Sequence, residues 1–73
     1  IQICASAGDS VKLMTGRSWY IVTNSGVASS NVFGETGYQV DGGGANVAMA
    51  LPAGDTYMFS LVPGTQSWIA KQW

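Results

Sequence analysis

Glycine sets the strongest limit on what this chain can become. Ten glycines fall between short apolar runs, and no stretch keeps a 3.6-residue apolar period long enough for a helix. What remains between the glycines reads as strand. "SVKLM" (10–14) alternates in polarity and runs into "TGR", a hairpin turn. "SWYIVTN" (18–24) carries the aromatic and β-branched residues that suit a pleated surface, and "NSG" (24–26) closes it. "SSNVF" (29–33) and "YQV" (38–40) are shorter, broken by Gly34 and Gly37, and "DGGG" (41–44) tolerates no regular element. "ANVAMAL" (45–51) sets bulky Val47, Met49 and Leu51 on one face and small alanines on the other, until Pro52 ends it in the turn "PAGD". "TYMFSL" (56–61) places Tyr57, Phe59 and Leu61 on one side. "VPGT" (62–65) then has Pro and Gly at the central positions of a type II turn, and "SWIAKQW" (67–73) follows. Turn signals every eight to twelve residues predict an all-β fold, a small antiparallel sandwich or barrel of six to eight short strands.

Seventy-three residues make one domain, 1–73, in which 1–6 is a first strand, an arm or a linker. A domain this small buries only roughly 60–65% of the surface its unfolded chain exposes, and usually leans on a disulfide, a metal or a partner subunit. Cys4 is the only cysteine, which excludes an internal disulfide, and the absence of histidine excludes a closed zinc site. Oligomerisation is the remaining route. Charge content agrees: 10% of residues are charged and 47% hydrophobic, where an ordinary soluble domain carries about 25% charged. Net charge is −1, with Lys12, Arg17 and Lys71 scattered, so no basic stripe is available for nucleic acid. No apolar run approaches the roughly 20 residues of a membrane helix. "IQICASAGDS" lacks the basic region of a signal peptide, and a start at Ile1 reads as a processed product or a piece of a longer protein. Cys4 reads as a small buried residue, with an intermolecular thiol as the sharper alternative.

One phrase occurs twice. "AGDSVKLMTGRSWY" (7–20) and "AGDTYMFSLVPGTQSWI" (53–69) both run from Ala-Gly-Asp through an apolar stretch and a glycine turn to Ser-Trp. The reading preferred here is architectural: two similar hairpins giving the sheet a rough internal symmetry, with Asp9 and Asp55 bonding nearby amides as turn aspartates do. A duplicated metal or sugar site at the two aspartates is the alternative. Catalysis has little to work with. The acids Asp9, Glu35, Asp41 and Asp55 have no histidine beside them, and three of the four sit next to glycine in turns. "DGGGAN" (41–46) lacks the strand and helix of a phosphate cradle. No enzyme and no cofactor are expected. Trp19 and Trp68 read as core, and Trp73 as the exposed tryptophan, placed to insert into a neighbouring subunit or stack on a sugar.

The motifs also occur in a particular order. A glycine-led strand reaches the Asn24-Ser25-Gly26 corner, then Val32-Phe33 lead through Gly37 to Val40-Asp41-Gly42. An alanine-rich strand ends at Leu51-Pro52-Ala53-Gly54, and Phe59 and Trp68 follow. In this order they resemble a small all-β module of tailed-bacteriophage virion structural proteins, of the head decoration (cement), head-fibre or tail-fibre type. The resemblance covers nearly the whole chain, and "IQICAS" departs from it. It implies a module that is generally trimeric and has no catalytic residue. The expectation is therefore a homotrimeric capsid decoration module at the virion surface, touching itself and the major capsid protein, and holding several shell subunits at once by multivalency. Position and composition nominate Ile1, Ile3, Cys4, Asp41, Gly42, Gly43 and Trp73 as contacts. Two alternatives stand beside it. One is a glycan-binding tip using Tyr38 or Trp73 with Asn31, Gln39 or Asn46; the other is a trimerisation module within a fibre.

Overall fold

The computed structural model describes residues 2–5 and 10–73, and for 2–5 the backbone alone. Eight strands make up the regular structure: β1 (Gln2–Ala5), β2 (Ser10–Leu13), β3 (Trp19–Asn24), β4 (Ser30–Gly34), β5 (Gln39–Val40), β6 (Met49–Leu51), β7 (Thr56–Leu61) and β8 (Ser67–Gln72). They form a five-stranded sheet in the order β1-β3-β7-β8-β5 and a three-stranded sheet in the order β2-β4-β6. The all-β sandwich predicted from glycine spacing is what folds, and within 1–6, where a strand, an arm or a linker is expected, residues Gln2–Ala5 form β1.

The chain changes sheet at each of its first six connections, and only β7 and β8 follow one another within a sheet. Strands that alternate between layers return to each sheet in the same direction as often as in the opposite one. Accordingly β1–β3, β2–β4 and β5–β8 pair in parallel, while β3–β7, β4–β6 and β7–β8 are antiparallel. The sheets are thus mixed, which corrects the purely antiparallel expectation.

Two local expectations change with it. The passage 10–20 is not a hairpin. Strand β3 has β1 on one side and β7 on the other, which leaves no ladder edge for β2. Residues 14–18 instead form an arch between the sheets, closed by a turn in which the Arg17 amide donates to the Met14 carbonyl at 3.2 Å. The strand expected over 45–51 shortens to β6, because Asn46 takes a left-handed backbone (φ 64°) and the Val47 amide turns back to the Gly44 carbonyl at 3.3 Å. Of its bulky face, Leu51 is buried and Met49 half-buried, while Val47 is exposed.

Alternation decides the core. Val11, Leu13, Val32 and Leu51 point inward from the small sheet, and Tyr20, Val22, Phe59 and Trp68 from the large one, joined by Val40. Burying each large side chain stabilises the fold by about 1.5–3 kcal/mol. Trp68 lies against Tyr20, ring centroids 5.8 Å apart, and against the α-carbon of Gly34. A β-carbon on Gly34 would stand 2.7 Å from Cβ of Tyr38 and 3.1 Å from Nε1 of Trp68, so only glycine admits the indole there.

Asn24 joins the layers. Its Nδ2 donates to the carbonyls of Ala28 and Leu51, both at 2.9 Å, and its Oδ1 accepts from the Gly26 amide at 2.9 Å. Its backbone amide donates to the Asp55 carbonyl and its carbonyl accepts from the Gly54 amide. A fully buried amide with every bond made is stable in low dielectric, whereas one left half-paired would be costly. The corner "NSG" is thus an Asx turn that also ties the end of β3 to β6 and to the turn 52–55.

Candidate functional site

The inner face of the large sheet is covered by the small sheet; its outer face is not. Register places three cross-strand rows on that outer face. Trp19, Ser60 and Ile69 form the first row, and Ile21, Met58 and Lys71 the second. Thr23 and Thr56 form the third, their hydroxyls 2.8 Å apart, and Trp73 reaches it through an amide that donates to the Thr56 carbonyl at 2.9 Å. Trp19 is 48% exposed, Ile69 56% and Trp73 72%. Trp19 is therefore not the core residue that its apolar neighbourhood suggested, because Tyr20 and Val22 on the alternate positions take the inward face.

A shallow groove of about 590 Å³ follows the outer side of β3 and β7. Ile21 and Met58 floor it, Trp19, Leu61 and Pro63 bound one end, and Trp73 comes over it from the end where β7 starts. Ser18 and Ser60 are the hydroxyl residues that line it. Its volume lies within the roughly 300–1,000 Å³ of ligand pockets, yet it is an open trough lined by aliphatic and indole carbon. That lining binds by shape and desolvation.

The residues nominated from sequence fall in three places. Trp73 stands at the groove. Ile3 and Cys4 lie in β1 at the edge of the same sheet, in register with Val22 and Thr23. Ile1 and Asp9 fall outside the described residues. Asp41, Gly42 and Gly43 are exposed in the loop after β5. That loop is a tight turn: Asp41 (φ 56°) and Gly42 (φ 72°) are both left-handed, and the Gly43 amide donates to the Val40 carbonyl at 3.2 Å. Paired positive angles are the geometry of a type I′ turn, which an Asp-Gly pair suits. Asn46 fastens the loop from the other side, its Oδ1 accepting from the Gly37 amide at 2.7 Å.

The glycan candidates fall in three places. Tyr38, Gln39 and Asn46 lie together, the Asn46 amide donating to the Tyr38 carbonyl at 3.0 Å and Gln39 bridging to Ala45, while Gln39 also donates through Nε2 to Oγ of Ser67 at 2.8 Å. Asn31 is exposed on the small sheet, and Trp73 borders the groove of the large one. The described acids, Glu35, Asp41 and Asp55, lie in separate loops. Oε1 of Glu35 accepts from both the amide and the hydroxyl of Thr15, each at 2.7 Å, and these bonds, with Lys12 nearby, hold its carboxyl below the usual range. Asp55 lies in the turn 52–55, where its amide donates to the Pro52 carbonyl at 3.2 Å. Among the described residues no three metal-ligating side chains come together.

Sequence reasoning missed Trp19, Ile21, Met58 and Ile69 as surface residues. A signal was present. "WYIV" is apolar at every position, as in strands covered on both faces, and this fold covers only one. Comparison with family models, curated proteins and solved structures finds no match.

Proposed function

We propose that this chain is a non-enzymatic structural protein of a virion, a homotrimeric decoration or cement module that braces contacts between shell subunits. The observation that carries the reading is the outer face of the large sheet. Apolar residues scattered singly over a surface need no explanation, but a contiguous patch bearing two tryptophans marks a surface meant to be covered. Among the described residues the acids Glu35, Asp41 and Asp55 lie in three separate loops and offer no pair to share a proton across a cleft. A module that works by covered surface gains affinity through several simultaneous contacts, so the major capsid protein, repeated across a shell, is its partner. The virion surface is then its location, and no cofactor, nucleic acid or membrane enters the mechanism.

A second reading has its own observation. Trp19 and Trp73 border a trough that also carries the hydroxyls of Ser18 and Ser60, the combination of aromatic face and hydroxyl that a sugar ring uses. The aliphatic floor of Ile21 and Met58 favours a protein surface over a glycan. Immunoblotting of density-gradient fractions from the source tests the first reading: the chain is expected to travel with intact particles, and its confinement to soluble fractions would refute the virion assignment. Saturable, sequence-specific binding on a glycan array would put the sugar-binding tip in its place.

A further inference from the structure

We infer that the outer face of the five-stranded sheet is where copies of this chain meet one another. The inference rests on the structural-module reading and names the occupant of its surface.

Strand β3 supplies the first argument. Trp19, Tyr20, Ile21 and Val22 are apolar on both faces of the sheet, the composition of a strand with two covers. The fold provides one, since Tyr20 and Val22 are buried against the small sheet while Trp19 is about half exposed. Nothing among the described residues supplies the second cover, and a second copy of the chain is the occupant inferred for it.

Charge decides what kind of molecule. Lys71 is the only charged side chain in the three rows of the face, and Arg17 stands beyond the Trp19 end. Nucleic acid and anionic lipid are recognised through clustered cations, which this face lacks. A protein surface studded with charge would lose hydration against it without gaining ion pairs. The complementary surface must itself be uncharged and apolar, and this chain presents one on every copy. The stem of Lys71 can lie along apolar surface with its ammonium at the rim.

Area and shape agree. Strands β3, β7 and β8, six residues each and spaced about 4.8 Å apart, with the four residues of β1 beside them, give a face roughly 19 by 14–20 Å in projection. Set against the 4058 Å² that the subunit exposes, that is somewhat under about a tenth, near the share that a standard interface takes from a small protein. Trp73 projects beside a trough that an indole could enter, so each copy carries both a knob and a receiving groove. The edge strand beside the face, β1, has no charged residue, proline or glycine in Gln2–Ala5 to block approach of a neighbour.

The test is the solution mass of the chain by light scattering, from low micromolar to millimolar, for wild type and three variants. Wild type is expected as a multiple of the 7.6-kDa subunit. Ile69→Lys and Met58→Lys, each placing a cation in the face, are expected to weaken association at least about 30-fold. Val27→Lys, at a residue 95% exposed in the 25–29 corner, is expected to leave it unchanged. A wild-type chain that stays monomeric throughout would overturn the inference, while particle fractionation would still decide the virion reading separately. Assembly undiminished in both face variants, with wild-type circular dichroism, would place the contact elsewhere and overturn it as well. Should the variants unfold, wild-type fluorescence decides. Dilution is expected to red-shift tryptophan emission as Trp19 and Trp73 return to water, and dissociation without a shift refutes the interface.

Discussion

In residues 10–19 a strand, a glycine turn and Ser18-Trp19 carry the chain from the small sheet up into the large one. In residues 56–68 the same succession folds back on itself as the hairpin of β7 and β8. The second passage is closed by local chemistry. Pro63 and Gly64 (φ 76°) occupy the centre of a type II turn in which the Thr65 amide donates to the Val62 carbonyl at 3.2 Å. The first is closed from a distance. Glu35 holds Thr15 by two bonds, and the Tyr20 hydroxyl lies 3.2 Å from the amide and 3.3 Å from the carbonyl of Met14. The tryptophans record the outcome: Trp68 is buried against Gly34 and Tyr20, and Trp19 faces outward. Similar words become a hairpin or an arch according to whether the following strand still has a free edge.

The largest expected difference lies between those tryptophans. Trp68→Ala is expected to lose about 3–5 kcal/mol, on the scale of the entire stability of a domain this size. Trp19→Ala should cost less, about 1–2 kcal/mol of subunit stability, since half of that side chain is already in water and its removal leaves no enclosed cavity. Urea unfolding of both, below the concentration at which copies associate, measures the contrast, and equal losses would break it. The turn glycines come next. Gly64→Ala forces a side chain into left-handed backbone and should cost about 1–2 kcal/mol. Gly16 has an ordinary backbone angle and open space around it, so Gly16→Ala should be neutral or stabilising by up to about 1 kcal/mol. The smallest effect is in acid. Because the bonds from Thr15 depress the Glu35 pKa, their contribution is fully present above the ordinary glutamate value of about 4.3 and is lost as pH falls through the lower folded value. Glu35→Gln should flatten that part of the pH–stability curve and leave the hairpin's proteolytic protection unchanged.

Element existence was legible in the sequence, since glycine placement and apolar alternation depend on neighbours along the chain. The strand over 56–61 and the type II turn after it follow from local rules alone. Sheet membership was not legible, because "TGR" satisfies a hairpin and an arch equally well and the choice is made by β1 and β7. The groove was half legible. Trp73 stood out by position, while Trp19 was hidden by its own context: in "SWYIV" both faces are apolar, and alternation cannot say which of two greasy faces turns inward. The shortening of β6 escaped because left-handed backbone at Asn46 is fixed by Gly37, nine residues away.

The clamp at Asn24 carries a consequence for the time course of folding. Its Nδ2 bonds span 4 residues to Ala28 and 27 to Leu51, and β3 finds its antiparallel partner only in β7. Little in the first half of the chain can finish locally, and topologies dominated by such distant pairings fold in milliseconds to seconds. A ribosome releasing this chain would hold a collapsed but unlatched first half until residues 51–61 emerge. The outer face takes its final shape only once β8 has joined β7 as well, so subunits would meet through it after residues 67–72 have emerged.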